Sequence, residues 1–393
     1  MIKIMKRGEV SERELFARKV SGADVAGTVA EIIADVRENG DAALRKYNEK
    51  FDKCTCESLE VSEEEFAAAM AAVPAEYLRV LERSAGNIRE YHLRQVRHDY
   101  IVTAEDGSVL GQRVLPMARV GLYVPGGTAA YPSSVLMNCI PAKIAGVGEI
   151  VMTTPASGGE VSPAILAAAK VAGVDRVFKV GGAQAVAALA YGTESVPRVD
   201  KIVGPGNAFV AEAKRQVYGQ VAIDMIAGPS EILIVSDGKT NAKWLAADML
   251  SQAEHDKLAT AILITDSAAL AAEVAEEIER QLAALPREEI ARASIANNGK
   301  IIVAGDLEDA VAIANEIAPE HLELCVDAPF DYLGKVKNAG SIFLGRYSPE
   351  PVGDYLAGTN HTLPTMGTAR FSSPLSVDDF VKKSCFSYYT PAA

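Results

Sequence analysis

One short stretch near the middle of the chain carries the residue types of a metal site. It spans 248–256, with the sequence DMLSQAEHD, and the pattern before it predicts a helix that begins near Asn241. Gln252 and His255 are three residues apart, so on a helix their side chains lie on one face. Imidazole is a common ligand of borderline metals, and an amide oxygen is an uncommon one. Because two ligands hold zinc weakly, a carboxylate and one more donor must come from elsewhere. The alternative is a polar helix end with a solvated histidine.

A second candidate pair stands in the segment 318–323, APEHLE, before a predicted strand. Glu320 and His321 can divide acid–base work, because the pKa of each is set by its own surroundings. Neighbouring residues on an extended chain point apart, so we expect different proton transfers from the two rather than a relay. A charged pair at a helix end is the alternative.

Two further candidates lie in a glycine-punctuated loop. Asp354 is a natural carboxylate ligand, and His361 ends the sequence GTNH. His361 is either a hydrogen-bond partner of a metal ligand or a solvated loop residue. Ser230, in the sequence GPSE, lacks the G-x-S-x-G elbow, which argues against a nucleophilic role. A hydrogen bond to substrate or a helix cap fits Ser230 better.

Three glycine-rich turns follow predicted strands, at 124–127 (VPGG), 180–184 (VGGAQ) and 203–207 (VGPGN). Ligands of open α/β sheets bind beyond the carboxyl ends of the strands, where glycine lets the backbone approach a phosphate. None matches the dinucleotide fingerprint, since Phe209 replaces the last glycine in the third turn. The turns predict a nucleotide-type pocket, with plain tight turns as the alternative. Its polar side chains would be Tyr123, Gln184 and Asn207.

The elements that position these residues alternate between strand and helix. Residues 1 to about 98 read as helical, and Asp-Gly at 106–107 predicts a hairpin. From Arg119 short apolar strands alternate with Ala-rich helices, and the alternation restarts near Ser230. This rhythm predicts an α/β fold of two tandem Rossmann-like domains with parallel sheets. The expected boundaries are 1–118, a helical region and hairpin packed with the second α/β domain; 119–229, the first α/β domain, nucleotide-binding; 230–346, the second, with zinc and catalytic residues; and 347–393, an irregular tail that is a candidate for exchange between subunits.

Composition excludes some classes of partner. The net charge of −13 and the lack of a basic block argue against nucleic acid. An apolar span of eighteen residues and a signal-peptide pattern are both missing, which argues against a membrane and favours the cytoplasm. The five cysteines are scattered, and we expect reduced thiols. His92 and His98 stand among Arg and Gln, and we expect both on the surface.

With these residues assembled, the sequence resembles the histidinol dehydrogenases over nearly its whole length. The resemblance rests on six stretches in order: 181–185 (GGAQA), 204–210 (GPGNAFV), 227–231 (AGPSE), 250–255 (LSQAEH), 318–323 (APEHLE) and 358–365 (GTNHTLPT). It implies a zinc- and NAD-dependent enzyme that oxidises L-histidinol through an aldehyde to L-histidine, with two NAD reduced. It also implies a homodimer with shared active sites.

The resemblance also implies roles for single residues. Glu320 matches the residue that activates water, and His321 matches the general base, which also contacts substrate. Ser230 matches a further substrate contact. The residues that match ligands of one zinc per subunit, and through it substrate contacts, are Gln252, His255 and Asp354. Those that match NAD contacts are Tyr123, Gln184 and Asn207.

In one respect the sequence departs from the family pattern. Family members continue beyond the position of Pro391 with a segment that gives a Glu and a His to the neighbouring subunit's site. The printed sequence ends at Ala393, so the resemblance leaves zinc with three protein ligands here. Two alternatives therefore stand beside histidinol oxidation. One is a related NAD-dependent dehydrogenase of another alcohol, such as a sulfonated diol, and the other is an inactive chain that lacks the tail.

Overall fold

The computed structural model describes residues 2–18, 24–126 and 131–393. Its strands, in chain order, are β1 (Lys3–Lys6), β2 (Tyr100–Thr103), β3 (Val109–Pro116), β4 (Arg119–Tyr123), β5 (Glu149–Thr154), β6 (Arg176–Lys179), β7 (Lys201–Val203), β8 (Ala222–Ile223), β9 (Glu231–Ser236), β10 (Thr260–Thr265), β11 (Lys300–Val303), β12 (His321–Cys325), β13 (Ser341–Leu344) and β14 (Val381–Tyr388).

The α-helices are α1 (Glu12–Leu15), α2 (Ala26–Tyr47), α3 (Glu63–Ala72), α4 (Ala75–Leu93), α5 (Pro132–Ala145), α6 (Pro163–Ala172), α7 (Gly182–Tyr191), α8 (Ala208–Val217), α9 (Ala242–Ala253), α10 (Ala268–Leu282), α11 (Glu288–Asn297), α12 (Leu307–Ile317), α13 (Phe330–Leu333) and α14 (Glu350–Val352). Two π-helical turns span Asn48–Asp52 and Gly353–Ala357, and two 3-10 turns span Thr368–Arg370 and Val377–Phe380.

The first compact unit comprises Ala227–Gly353, Leu363–Pro374 and the described part of Met1–Ala23. Its six-stranded sheet has the order β1-β11-β10-β9-β12-β13, and every pairing in it is parallel. Ile232 and Ile234 of β9 pack in the core formed with α9, α10 and α11, whereas Leu233 and Val235 pack in the core formed with α12. Both faces of the sheet are therefore covered, which explains the unbroken apolar run of this strand.

The second compact unit comprises Asp24–Ile226, Asp354–Thr362 and Leu375–Ala393. Its five-stranded parallel sheet has the order β6-β5-β4-β7-β8. One core of this unit includes side chains of α3–α6, and another includes side chains of α2, α7 and α8. The predicted parallel α/β fold class is thus confirmed.

A separate antiparallel sheet belongs to the second unit. The predicted hairpin forms between β2 and β3, with Tyr100 opposite Gln112. β14 pairs along the other edge of β3 over eight residues, from Val381 opposite Pro116 to Tyr388 opposite Val109. The sequence gives no sign of β14, because its pairing partner lies far away in the chain.

The packing expected for the N-terminal region requires a correction. Helices α2, α3 and α4 were expected to pack with the second α/β domain (230–346), but they pack with α5–α8, which belong to the first (119–229). Of the N-terminal region, only β1 and α1 lie with the sheet that contains β9. The apolar face of α2, which includes Val29, Ile32 and Leu44, provides the physical reason, since it completes one core of the second unit. The tail is likewise divided, with 363–374 in the first unit and 354–362 and 375–393 in the second.

The state of the cysteines also differs from expectation. Cys54 and Cys56 form a disulfide with Cα atoms 5.8 Å apart, a distance that the bond readily spans. The prediction of five reduced thiols is therefore wrong for this pair, while Cys139, Cys325 and Cys385 are free thiols. Within the described ranges, no helix combines the length and the apolarity needed to cross a bilayer.

Candidate active site

His321 and Glu320 are held by the main chain of one neighbouring residue. His321 is the first residue of β12 and is 2% exposed, and Glu320 is 8% exposed. The carbonyl oxygen of Glu231 lies 2.9 Å from His321 Nδ1. Because a carbonyl only accepts, Nδ1 donates the proton of this bond, and the lone pair of the neutral ring is on Nε2. The amide of Glu231 donates to Glu320 Oε2 at 2.8 Å.

The two side chains lie closer together than an extended chain would place them. His321 Nδ1 is 3.7 Å from Glu320 Oε2, so the expectation that they point apart is wrong. Glu320 precedes β12 and follows Ala318, whose φ is 50°, so the alternation of a strand does not apply to it. A carboxylate at this distance stabilises positive charge on the imidazole, which suits a base that takes up a proton.

Gln252 lies in the last turn of α9, as predicted, whereas His255 lies two residues beyond the last residue of the helix, Ala253, so the prediction that both are on the helix is wrong for His255. Asn241 caps the helix by accepting from the amide of Lys243, and His255 follows the last turn. Gln252 is 1% exposed, and its Oε1 has no hydrogen-bond partner in the described part of the chain. An unsatisfied buried acceptor costs about 1–3 kcal/mol, so this oxygen points to a ligand that the protein alone does not supply. His255 is exposed to solvent.

Glu350 is a candidate metal ligand that was not singled out from the sequence. It begins α14, is buried, and donates its amide to Glu323 Oε1 at 2.9 Å. Its carboxylate lies within 4.8 Å of the ring nitrogen that His321 could offer to a metal. Asp354 comes four residues later, in the turn Gly353–Ala357. The available signal was an acidic residue between Pro349 and Pro351, one helical turn before a predicted ligand.

A buried carboxyl pair lies beside Glu350. Glu323 accepts from the Glu350 amide and from Cys325 Sγ, and it hydrogen-bonds Asp248. Burial raises the pKa of Asp248 from 3.8 to about 6, and burial with the charge of Asp248 raises the pKa of Glu323 well above its ordinary value. The two carboxyl groups therefore hold a proton more tightly in the folded protein than in the unfolded chain.

This pair makes the stability of the folded protein depend on pH. Between about pH 4 and pH 6 the folded state binds more protons than the unfolded chain, so stability falls as pH rises. Asp248→Asn should remove the loss of stability that follows deprotonation of Asp248, because the amide of Asn donates to Glu323 at every pH, as a protonated Asp does. We expect equal Tm near pH 4 and a Tm several degrees above wild type at pH 8, measured by calorimetry in EDTA. Asn in place of the exposed Asp331 is the control, and a Tm gain independent of pH would contradict the assignment.

The other candidate site lies at the strand ends of the five-stranded sheet. Tyr123 ends β4, and its hydroxyl oxygen accepts from the amide of Gly182 at 3.2 Å. Burial raises the pKa of Tyr123 to about 12, so the hydroxyl stays a donor. Gly204 is needed here, because its φ is +114° and a Cβ would lie 2.1 Å from the Tyr123 carbonyl oxygen.

Two amide side chains lie at the beginnings of helices that follow strands of this sheet. Gln184, in the first turn of α7, is 1% exposed, and neither its Oε1 nor its Nε2 has a partner among residues 2–18, 24–126 and 131–393. Asn207 caps α8, where its Oδ1 accepts from the amides of Phe209 and Val210. A buried amide whose two ends lack partners among the described residues fits a ligand-binding role. Gly127, the last residue of the first glycine turn, lies outside the described residues.

His92 was predicted at the surface, and that prediction is wrong. The side chain is 0% exposed, with Nδ1 donating to Ile88 O at 2.8 Å and Nε2 accepting from Asn360 at 3.3 Å. Burial lowers the pKa of His92. Leu81, Ala85, Ile88 and His92 recur at helical spacing and are all buried, so the periodicity of α4 could have placed this residue correctly.

The remaining predicted residues occupy less constrained positions. His98 is exposed, as expected, and His361 is partly buried. Ser230 is also partly buried and directly precedes β9, where its carbonyl accepts from the amide of Thr260 at 2.9 Å. Asn360 of the GTNH sequence anchors its loop, since it donates to Met137 O at 2.7 Å as well as to His92.

Glycine turns at the strand ends of one parallel sheet, a buried Gln184 amide without a partner in the described part of the chain, and a buried acid–imidazole pair on the other sheet are typical of a nucleotide-dependent α/β oxidoreductase. The family model described as Histidinol dehydrogenase matches residues 16–393. The chain belongs to the histidinol dehydrogenase family, whose members are NAD- and zinc-dependent oxidoreductases of histidine biosynthesis.

Similar proteins agree with this placement. The histidinol dehydrogenase of Clostridium acetobutylicum is 54% identical over 399 residues, which cover 100% of this chain and 93% of that protein. That of Syntrophotalea carbinolica is 60% identical over 362 residues, covering 92% and 84%. The crystal structure of histidinol dehydrogenase from Elizabethkingia anophelis has a TM-score of 0.95 at 39% identity, covering 99% and 90%. An acetylating aldehyde dehydrogenase from Geobacillus thermoglucosidasius, with a TM-score of 0.51 at 12% identity and covering 94% and 99%, shares only the fold.

Proposed function

We propose that this chain oxidises L-histidinol through L-histidinaldehyde to L-histidine, with two NAD reduced. The observation that carries the proposal is the pair Glu320 and His321. His321 is held with its lone pair on Nε2, and a carboxylate lies 3.7 Å from Nδ1. This arrangement supplies a base for an alcohol proton and a separate carboxylate for water.

The two oxidations need two different proton acceptors. In the first, His321 Nε2 takes the hydroxyl proton while the hydride of the carbinol carbon passes to NAD, which leaves the aldehyde. Glu320 then takes a proton from water as the oxygen adds to the carbonyl carbon. The hydrate loses a hydride to a second NAD and a proton to solvent, which gives the carboxylate. General acid–base catalysis of this kind contributes about 10²–10⁴-fold.

We propose that Gln252, His255 and Asp354 hold the zinc. Gln252 Oε1 has no hydrogen-bond partner among the residues that the structure describes, which supports this assignment, since a metal would satisfy it. Zinc, when bound, orients the amino alcohol as a template and secondarily polarises its oxygen. Ser230, directly before β9, is placed in the proposal as a hydrogen-bond partner of the substrate.

We propose Tyr123, Gln184 and Asn207 as NAD contacts. Replacing Gln184 with Ala removes a buried amide whose two ends lack partners in the described part of the chain. We expect the KM for NAD to rise about tenfold, which corresponds to about 1.4 kcal/mol of binding energy. Zinc content should remain as in wild type. Gln216→Ala, also on a helix of the second unit, is the control, and an unchanged KM for NAD would count against Gln184.

The chain is further proposed to act as a cytoplasmic homodimer. The antiparallel sheet of the second unit supports the dimer, because large apolar side chains on it are exposed. They are Tyr100, Ile101, Val102, Leu110 and Tyr388.

NADH stoichiometry tests the proposed function. Zinc-loaded protein should form two NADH for each L-histidinol consumed, with L-histidine as product. One NADH per substrate would contradict a double oxidation. Turnover of another alcohol, such as a sulfonated diol, without turnover of L-histidinol would favour a related dehydrogenase. Zinc binding without any NADH formation would favour the inactive chain.

A further inference from the structure

Arg18, near the N-terminus, contacts the residue that holds Glu320 and His321 in place. Glu231, whose amide and carbonyl hold Glu320 and His321, has a buried side chain. Its Oε1 accepts from Arg18 Nη1 at 2.9 Å, and the Arg18 side chain is only 14% exposed. The guanidinium therefore fixes the residue on which both catalytic side chains depend.

The same guanidinium also holds the other segment that leads to the pair. Arg18 Nη2 donates to the carbonyl oxygen of Ile317 at 2.6 Å. Ile317 is the last residue of α12, three residues before Glu320. Arg18 thus ties the start of β9 to the end of α12, and these two segments set the position of Glu320 relative to Glu231. Its planar fork can meet two acceptors at once, which an ammonium group does less well.

Arg18 is itself held firmly in the first unit. The Nζ of Lys300 donates to Leu15 O at 3.1 Å and to Ala17 O at 2.6 Å. β1 pairs with β11 along Lys3–Lys6, so the N-terminal segment is joined to the sheet twelve residues before Arg18. A buried ion pair is weak evidence for stability, because desolvation offsets the attraction. The Arg18–Glu231 ion pair lies on the residue that holds both Glu320 and His321. A role in positioning these two side chains explains the ion pair better than a role in stability does.

We propose that Arg18 is a positioning residue, which orients Glu320 and His321 through Glu231 and Ile317. The inference rests on the proposed function. It predicts that loss of the guanidinium lowers kcat while the zinc and substrate sites keep their affinities. A misplacement of about 1 Å in a catalytic group can cost roughly 10²-fold in rate.

Arg18→Gln should lower kcat for L-histidinol by about 10–100-fold, with KM values and zinc content within about twofold of wild type. The kcat of Arg18→Lys should lie between those of wild type and Arg18→Gln. Arg7→Gln is the matched control, because Arg7 lies on the same N-terminal segment and pairs with Asp309 of α12, away from the catalytic pair. Its kcat should stay within about twofold of wild type.

Two further measurements separate positioning from folding. Glu231→Gln replaces the charged contact with Arg18 by a weaker neutral hydrogen bond and should also lower kcat, but by less than Arg18→Gln, and the double variant should lose no more than Arg18→Gln alone. Arg18→Ala should regain activity when ethylguanidinium, the fragment that this replacement removes, is added at non-denaturing concentration. Equal kcat in wild type, Arg18→Gln and Arg7→Gln would overturn the inference, as would losses confined to Tm or zinc content. A wild type that never reduces NAD would instead reject the proposed function and this inference with it.

Discussion

Replacing His321 with Asn is expected to lower kcat for L-histidinol oxidation by roughly 10²–10⁴-fold. In the proposed mechanism the imidazole takes the alcohol proton on Nε2, which carries the lone pair because Nδ1 donates to Glu231 O. Asn can still donate to Glu231 O but offers no base. The rate of conversion of supplied L-histidinaldehyde should fall much less, since in the proposed mechanism Glu320, and not His321, takes the proton from water in that step. NADH formation from each substrate, followed in the same preparation, measures the difference.

Glu320→Gln is the matched variant and should show the reverse pattern. The amide keeps the size of the side chain and can accept from the Glu231 amide, but it cannot take a proton from water. Oxidation of the aldehyde should therefore fall more than formation of the aldehyde. His98→Asn, an exposed replacement, controls for the loss of an imidazole elsewhere. Equal losses of both half-reactions in both variants would reject the division of labour.

Most of the fold followed from the sequence because its signals are local. Apolar runs such as those of β9 and β10 alternate with helices that have a cap at one end, and strict alternation leaves a parallel sheet as the natural arrangement. β1 and β14 were not predictable in this way. Both are edge strands whose extended form depends on distant partners, β11 and β3, rather than on their own pattern.

The same distinction explains the site. The roles of these four residues stay predictions, but the residues themselves were recognisable from a three-residue spacing (Gln252 and His255) or from being adjacent (Glu320 and His321). Arg18 was not, because its contacts with Glu231 and Ile317 exist only in the folded unit. The burial of His92 is a different case. The helical spacing of apolar residues in α4 predicts that His92 is buried, but its charged neighbours in the sequence led to the opposite prediction.

Replacing a proposed zinc ligand should lower the affinity for zinc strongly. We expect His255→Ala and Gln252→Leu each to lower zinc affinity by more than about 100-fold, because loss of a group that only hydrogen-bonds a ligand already costs about 10–100-fold. Dialysis against buffered zinc followed by elemental analysis measures the change. His98→Ala should keep wild-type zinc content. Wild-type zinc content in both ligand variants would count against the assignment.

Gln252→Leu also separates a ligand from an ordinary polar core residue. In zinc-free protein Oε1 is buried without a partner in the described part of the chain, and such an acceptor costs about 1–3 kcal/mol. Leu removes that cost at similar volume, so the zinc-free variant should have a higher Tm than zinc-free wild type. Zinc should raise the Tm of wild type, as any ligand of the folded state does, and leave that of the variant unchanged. A side chain kept for packing alone would give the opposite result, with lower Tm in the variant and the same gain on adding zinc.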